Sequence, residues 1–362
     1  MRILVTTYAP ISAQFGASQV AINLAEALRE QGHEVTLWSP HPMPNLTRWW
    51  QGLQSIQLMR SKLDDFLETQ QKFDVIDCTS VLITKKVSRS ALVVARSVQP
   101  EILYLLSGLL DQKQKKVKKI VLLPFNCIFA LIYVFLLLQG WARSQHILCL
   151  GSLQYEWVNQ WFPWWKKKVS YYLHATSEEG SEAISQIRLS RQKHSSDTIN
   201  FLWIGRWDFH KGNDRIVSFM ISWLALHPQD TFTIAGCGAA ELDFPIELVK
   251  SGSLEVIPSF DRSQLLTLLA SHDIGLFTSR VEGWGLVLNE MLEAGMPVFA
   301  TNVGGVLDLQ PFFREMLKPF PPISRPTTDV SINHENLISY FRIFTWKNIA
   351  ETYVKLVSVN PS

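Results

Sequence analysis

Within its first 40 residues the chain settles what kind of sheet it can build. Arg2–Thr7 is an apolar run that reads as a buried strand, and Ser12–Ser18 is a loop of small residues containing Gly16. Val20, Leu24, Ala25 and Leu28 then recur at helical spacing, Gly32 stands where a C-cap glycine belongs, and His33–Trp38 reads as a second strand. Strand, loop, helix and strand in so short a span make a βαβ unit, which requires its two strands to run parallel. Asp74–Cys78, Ala91–Ala95 and Ile147–Leu150 read as further short buried strands, so residues 1–176 are expected to form one α/β domain.

The same alternation restarts near residue 198. Ile199–Gly205, Thr231–Ala235, Leu254–Ile257, Ile274–Thr278 and Val298–Ala300 read as strands; Asp214–Leu226, Ser263–Ser271 and Leu286–Ala294 read as helices. This predicts a second doubly wound domain over 198–335. Between the two, residues 177–197 are polar and poor in aromatics and read as a linker. The proline-rich stretch Pro319–Pro326 reads as a loop, and residues 336–362 as an amphipathic terminal segment.

Composition narrows the class. With 362 residues, 47% of them apolar and 18% charged, the chain can bury two cores and is not disordered. A net charge of +2 argues against a dedicated nucleic-acid binder. The charge is unevenly divided: residues 1–197 hold 22 basic and 15 acidic side chains, residues 198–362 hold 12 and 17. An anionic partner is therefore expected on the N-terminal half. Cys78, Cys127, Cys149 and Cys237 have neither disulfide-framework nor metal-type spacing, which fits a reducing compartment.

Two segments raise the question of a membrane. Met1–Pro10 contains no cleavable apolar region of useful length. Ile120–Leu138 is a charge-free stretch of 19 residues preceded by Lys113, Lys115, Lys116, Lys118 and Lys119, near the length that spans a bilayer. A span here would put the two halves of the chain on opposite sides, so the segment reads as a core helix or an interfacial one. Trp161-Phe162-Pro163-Trp164-Trp165, followed by Lys166-Lys167-Lys168, suits a headgroup layer, or else an aromatic loop packed under the domain with a solvated lysine tail.

Chemistry-bearing residues cluster in the second half. Arg206 and Lys211 follow directly on a strand, five residues apart, a spacing that suits a diphosphate or simply a pair of surface cations at a turn. In Glu282-Gly283-Trp284-Gly285-Leu286, the glycines let backbone N–H groups approach an anion at a helix start. Glu290 lies just over one turn into that helix, on its cleft side if Leu288, Met291 and Leu292 face the core. Glu282 and Glu290 are acceptors suited to sugar hydroxyls, or else Glu290, with Glu293, is part of a solvated helix face. Ile234-Ala235-Gly236-Cys237-Gly238 is a strand-end glycine loop lacking the third glycine of a dinucleotide fingerprint.

These segments, in this order and spacing, resemble the family-4 (group 1) retaining glycosyltransferases of GT-B fold. Glu282 and Glu290 match the family's E-x7-E pair, and Gly205-Arg206…Lys211-Gly212 its G-R-x-x-x-x-K-G segment. Asn302-Val303-Gly304-Gly305 matches its later glycine pair, Phe344–Ala350 its C-terminal segment, and Gly32–Val35 the end of its first βαβ unit. The resemblance implies two Rossmann-like domains facing across a cleft, an acceptor-binding N-terminal domain, and a terminal helix that crosses back to it. It implies transfer of a hexose-type sugar from a UDP- or GDP-sugar, with retention, to a lipid-linked or polysaccharide acceptor in cell-surface polysaccharide synthesis. Arg206 and Lys211 would bind the diphosphate and stabilise the leaving group, Glu282 would contact the donor sugar, and Glu290 the ribose. Gly16, Gly283, Gly285 and Leu286 would complete the donor site, with no cofactor and no metal. The protein would work in the cytoplasm, peripherally at the inner membrane face.

The chain departs from the pattern at two places. Relatives often carry a glycine pair in the first loop, where this chain has Phe15-Gly16-Ala17-Ser18, and a histidine about where Val98 stands. A valine neither accepts nor donates a proton. A retaining reaction in which the departing phosphate takes the acceptor's proton survives that loss, and Arg96 or Glu101 is a candidate substitute. The competing readings are a catalytically weak or inactive scaffold that binds nucleotide sugar, and a different enzyme on the same frame, such as an epimerase or phosphorylase.

Overall fold

The computed structural model describes residues 1–12, 16–44, 51–110, 117–191, 197–238, 244–328, 330 and 332–358. Parts of the expected Ser12–Ser18 loop, including Phe15, and Lys113, Lys115 and Lys116 lie outside the described residues. The chain divides into two compact units, Met1–His174 with Trp346–Ser362, and Ala175–Thr345.

The first unit is built on a six-stranded parallel sheet of order β2-β1-β3-β4-β5-β6. Its strands are β1 (Arg2–Thr6), β2 (Glu34–Trp38), β3 (Val75–Cys78), β4 (Leu92–Arg96), β5 (His146–Leu150) and β6 (Val169–Tyr172). Ile3, Leu4 and Val5 are fully buried, as are Val93, Val94 and Ala95, because both faces of a parallel sheet are covered. The intervening helices are α1 (Gly16–Glu30), α2 (Gln51–Thr69), α3 (Lys85–Ser90), α4 (Glu101–Leu110), α5 (Val117–Arg143) and α6 (Ser152–Trp161). At the end of α1, Gly32 takes φ +81° and its N–H donates to the Arg29 carbonyl at 2.9 Å, as a C-cap glycine does.

Helix α5 does not span a membrane here: β4 and β5, on either side of it in sequence, pair side by side in one sheet. The tryptophan–lysine cluster is also less exposed than its sequence suggests. Phe162 and Trp165 pack on Trp141, and the Lys168 ammonium donates to the Trp141 and Ser144 carbonyls, the latter at 3.0 Å. Burial lowers Lys168 to about 8. Of the cluster's four aromatics, only Trp161 and Trp164 are largely exposed.

The second unit carries β7 (Asn200–Ile204), β8 (Thr231–Ala235), β9 (Leu254–Ile257), β10 (Ile274–Phe277), β11 (Val298–Ala300) and β12 (Leu317–Pro319). Its sheet is parallel, of order β12-β11-β10-β7-β8-β9. Its helices are α7 (Glu178–Ser190), α8 (Asn213–Leu226), α9 (Ile246–Lys250), α10 (Arg262–Ser271), α11 (Leu286–Glu293), α12 (Val306–Leu309) and α13 (His334–Ile343). Counted outward from β7, this is the doubly wound order in which succession reverses between β7 and β10. That reversal opens a crevice at the carboxyl ends of those two strands.

Three sequence readings change. Residues 177–197 were expected to be a linker, but α7 forms there, capped by Ser177 and packed on α10 and α11. Its arginines are polar because they bind carbonyls of the second unit: Arg188 Nη1 donates to Glu293 O at 2.7 Å, and Arg191 Nη1 to His272 O at 2.9 Å. The terminal segment is two helices. α13 stays in the second unit, where Tyr340 is buried against Phe313 and Phe344. After a break at Phe344-Thr345, α14 (Trp346–Ser358) joins the first unit against α1, with Gln31 Nε2 donating to Lys347 O at 3.1 Å. Third, β6 and β12 were not foreseen; β6 hides beside the aromatic cluster and β12 has only three residues, ending on a proline.

Candidate functional site

The crevice between β7 and β10 is lined by the two loops in which the sequence places its cations and carboxylates. From the end of β7, residues 205–212 loop over to α8; from the end of β10, residues 278–285 lead into α11. The two are stitched together. Thr278 Oγ1 donates to Lys211 O at 2.8 Å, and Arg280 forms a two-pronged pair with Asp214, at 2.6 Å for each bond. The Arg280 guanidinium also lies 3.8 Å from the Phe209 ring centroid. Only glycine allows the approach at position 212: its φ is +74°, and a Cβ there would stand 2.1 Å from the Thr278 carbonyl oxygen.

This stitching brings Lys211 and Glu282 together. The Lys211 ammonium donates to Glu282 Oε2, which also accepts from Ser279 Oγ at 3.2 Å. Both side chains are mostly withdrawn from solvent, at 22% and 16% exposed. Arg206, on the same loop, is 72% exposed, with a guanidinium nitrogen 3.8 Å from Asp208 Oδ2. The loop thus presents one cation held by a carboxylate and one reaching into solvent.

Past Glu282, Gly283 is buried and Gly285 caps α11 at φ +92°, leaving Leu286 as the first helical residue. A Cβ on Gly285 would press on the Phe277 ring at 2.6 Å. The glycine pair Gly304-Gly305 lies against the same turn, and Gly305 N–H donates to Trp284 O at 2.9 Å. Gly16 lies in the other unit, exposed, as the first residue of α1.

The two carboxylates of α11 have different surroundings. Leu288, Met291 and Leu292 are fully buried, as the helix pattern requires. Glu290 retains 15% exposure and accepts from Arg262 Nη1, while burial pushes its carboxyl above the usual value against the pull of Arg262. Glu293 is 1% exposed and not part of a solvated face. Its Oε1 accepts from Tyr340 OH at 2.6 Å and Thr176 Oγ1 at 2.8 Å. Asn289 extends the chain, donating to Tyr340 OH at 2.9 Å and accepting from Trp284 Nε1 at 2.7 Å. Glu293 is therefore a packing residue joining α7, α11 and α13.

The sequence reading missed Ser279, Arg280, Asp214 and Arg262. The polar triplet Thr278-Ser279-Arg280 directly after a strand was the available signal for the first two. Arg262 opens a helix 28 residues from its partner, and no local pattern marks it.

In the first unit, Val98 sits in the bend between β4 and α4. Arg96 is not a stand-in for the missing histidine: it is 3% exposed and bound to Asp77 Oδ1 at 2.6 Å and Thr6 O at 3.2 Å. Glu101 is also buried, accepting from Ser97 Oγ at 2.9 Å, and burial raises its carboxyl to about 7. All four cysteines are free thiols. Among the described residues, no group of three or more His, Cys, Asp or Glu side chains could hold a metal ion.

Comparison with known proteins is consistent with this geometry. Residues 186–310 match the family model described as "Glycosyl transferases group 1". A Klebsiella pneumoniae protein, "Uncharacterized 41.2 kDa protein in cps region", is 28% identical over 142 residues, 39% of this chain and 38% of that one. The Schizosaccharomyces pombe "Phosphatidylinositol N-acetylglucosaminyltransferase gpi3 subunit" is 30% identical over 122 residues, 33% of this chain and 27% of its own length. The matches thus span well under half of these relatives. The solved structure "Trehalose-6-phosphate from E. coli bound with UDP-2-fluoro glucose" superposes with a TM-score of 0.63 at 12% identity, covering 100% of both chains. At that identity the likeness shows the fold alone, which is GT-B. The group 1 match covers the stretch that carries Arg206, Lys211, Glu282 and Glu290.

Proposed function

We propose that the protein transfers a hexose-type sugar from a UDP- or GDP-sugar to a lipid-linked or polysaccharide acceptor, with retention, in cell-surface polysaccharide synthesis. The observation that carries the reading is the Lys211–Glu282 pair at the β7/β10 switch point, beside Arg206 and the glycine-flanked start of α11. A nucleotide diphosphate bound there meets two cations and helix N–H groups, which stabilise the charge that develops as it departs. In this reading no divalent ion or other cofactor is needed. Glu282, released from Lys211 by the incoming diphosphate, accepts from the donor sugar hydroxyls, and Glu290 accepts from the ribose. Gly283, Gly285 and Leu286 supply the backbone donors.

Two relatives support the acceptor class. The Schizosaccharomyces pombe relative is named as a phosphatidylinositol N-acetylglucosaminyltransferase subunit, and the Klebsiella protein is described as lying in a cps region. The protein is read as cytoplasmic and peripheral to the inner membrane face.

The test is a panel of UDP- and GDP-sugars offered singly to purified protein, with and without a polyprenyl-linked acceptor extract. Release of nucleotide diphosphate from one donor, lost in Arg206→Ala and Glu282→Ala, is the expected result. Donor binding without release under any acceptor would replace the transferase with a nucleotide-sugar-binding scaffold, a reading that Val98 favours.

A further inference from the structure

Helix α5 is built inside out on one side. Its inner face is ordinary: Leu137 and Trp141 are buried, Trp141 Nε1 donates to Ser80 Oγ at 3.0 Å, and Gly140 lies against the Ser80 carbonyl. Tyr133 joins them on the same face. On a helical wheel, Phe125, Ile128, Leu131 and Phe135 fall about opposite this face, given 3.6 residues per turn. They are 44%, 53%, 70% and 61% exposed. An outward helix face is normally polar, yet no charged residue occurs from Ile120 to Ala142. Phe125–Arg143 has a mean hydropathy of 1.8, and only 22% of it is buried.

Charge identifies what covers this face. The five lysines at 113, 115, 116, 118 and 119 immediately precede the stripe, and no Asp or Glu occurs anywhere from residue 112 to 155. At the other end of α5, the aromatic cluster on Trp141 leaves Trp161 and Trp164 exposed at 60% and 68%. An apolar stripe between a basic run and tryptophans is the pattern of a helix lying in the headgroup layer of an anionic bilayer.

We infer that the outward face of α5 (Phe125, Ile128, Leu131, Phe135) seats the N-terminal unit on an anionic lipid surface, without spanning it. This deepens the peripheral-membrane part of the proposed function and does not depend on the transferase part. The seat places the unit read as acceptor-binding at the depth where a lipid-linked acceptor presents its head group. It also reassigns the attachment: Lys168 is a staple inside the fold, and the lysines that matter are the five from 113 to 119.

The test is cosedimentation of the full chain with phosphatidylcholine vesicles, with or without about one third phosphatidylglycerol. The wild type is expected to bind the anionic vesicles. Leu131→Glu with Phe135→Glu weakens that binding by about a hundredfold, and replacing the five lysines by Gln removes the preference for anionic lipid. Ile323→Glu, which changes a fully exposed apolar residue in the other unit, leaves binding as it was. Failure of the wild type to bind, or binding unchanged in Leu131→Glu/Phe135→Glu, overturns the inference. So does a dimer in sedimentation velocity that this double variant dissolves, which would give the face to a second copy of the chain. Nucleotide diphosphate release without vesicles separates the two proposals. Turnover without vesicle binding removes only the lipid seat, and vesicle binding without turnover removes only the transferase.

Discussion

The Lys211 ammonium and the Glu282 carboxylate form one ion pair although 71 residues separate them. The pair bridges the loops that leave β7 and β10, the two strands between which the sheet order reverses. Glu282 gives Lys211 a counter-charge of the kind a diphosphate supplies in the proposed complex. The cation is thus positioned in advance, at low cost in reorganisation.

Lys211→Ala is expected to lower turnover by at least about a hundredfold, the scale of losing one aimed charge donor. Glu282→Gln lowers turnover too, but tightens binding of the free nucleotide diphosphate, because the cation no longer has a competing partner. A double-mutant cycle on chemical denaturation should give a coupling of about 1 kcal/mol for these partly buried groups. A cycle that closes to zero would show that the pair does not form in solution.

The two acidic residues of α11 should separate cleanly. Glu293→Ala leaves Tyr340 and Thr176 without their acceptor in a buried site and should cost about 3 kcal/mol of stability. Glu290→Gln removes a partner of Arg262 at the surface and should change the denaturation midpoint little, while weakening donor binding. The check is to measure midpoint and donor affinity on both variants. A reversed pattern would mean that Glu293, and not Glu290, faces the ligand.

Gly212→Ala should destabilise by about 3 kcal/mol or more, because it combines a left-handed φ with a backbone clash. Gly252→Ala is the control: φ is +77° but nothing lies within 4 Å of the added Cβ. It should cost about 1 kcal/mol, the conformational term alone. Equal losses at the two sites would mean that the β7 loop does not pack on Thr278.

Two buried groups give opposite pH dependences in the first unit. His174 is 3% exposed, and burial lowers its pKa to about 3. The unfolded chain takes up this proton near 6.5 and the folded chain does not, so the contribution is complete above 6.5 and is lost as pH falls toward 3. Glu101, raised to about 7 from 4.5, behaves conversely: its contribution is present below 4.5 and is lost as pH rises to 7. Relative to wild type, His174→Asn should therefore flatten the acid-side fall of thermal stability, and Glu101→Gln should flatten the fall between 4.5 and 7. Each slope amounts to at most about 1.4 kcal/mol per pH unit. Difference curves of the melting temperature against pH report both, and parallel curves would place the groups in water.

How much was legible follows from where the information sits. The edges of β8, β9 and β11 were readable to the residue because each is a short run rich in strand-forming residues, bounded by polar or turn residues: Asp230 and Gly236, Ser253 and Pro258, Pro297 and Thr301. α7 was not readable. Its polarity looks like solvent contact, whereas Arg188 and Arg191 use that polarity on carbonyls more than 75 residues away in sequence. Glu290 and Glu293 are three residues apart on one helix and looked equivalent. Only the arrival of Tyr340 from α13 and Thr176 from ahead of α7 makes one of them a packing residue.

The sequence by itself determined the two parallel sheets, through the period of its apolar residues, and the strand ends where cations, glycines and carboxylates collect. Those are local properties, carried by residues within a few positions of one another. The tertiary structure decided which loops meet: the reversal of strand order sets β7 beside β10, and so sets Lys211 on Glu282. It also decided which face of α5 is turned outward. Both depend on packing between segments distant in sequence, and no local spacing encodes that.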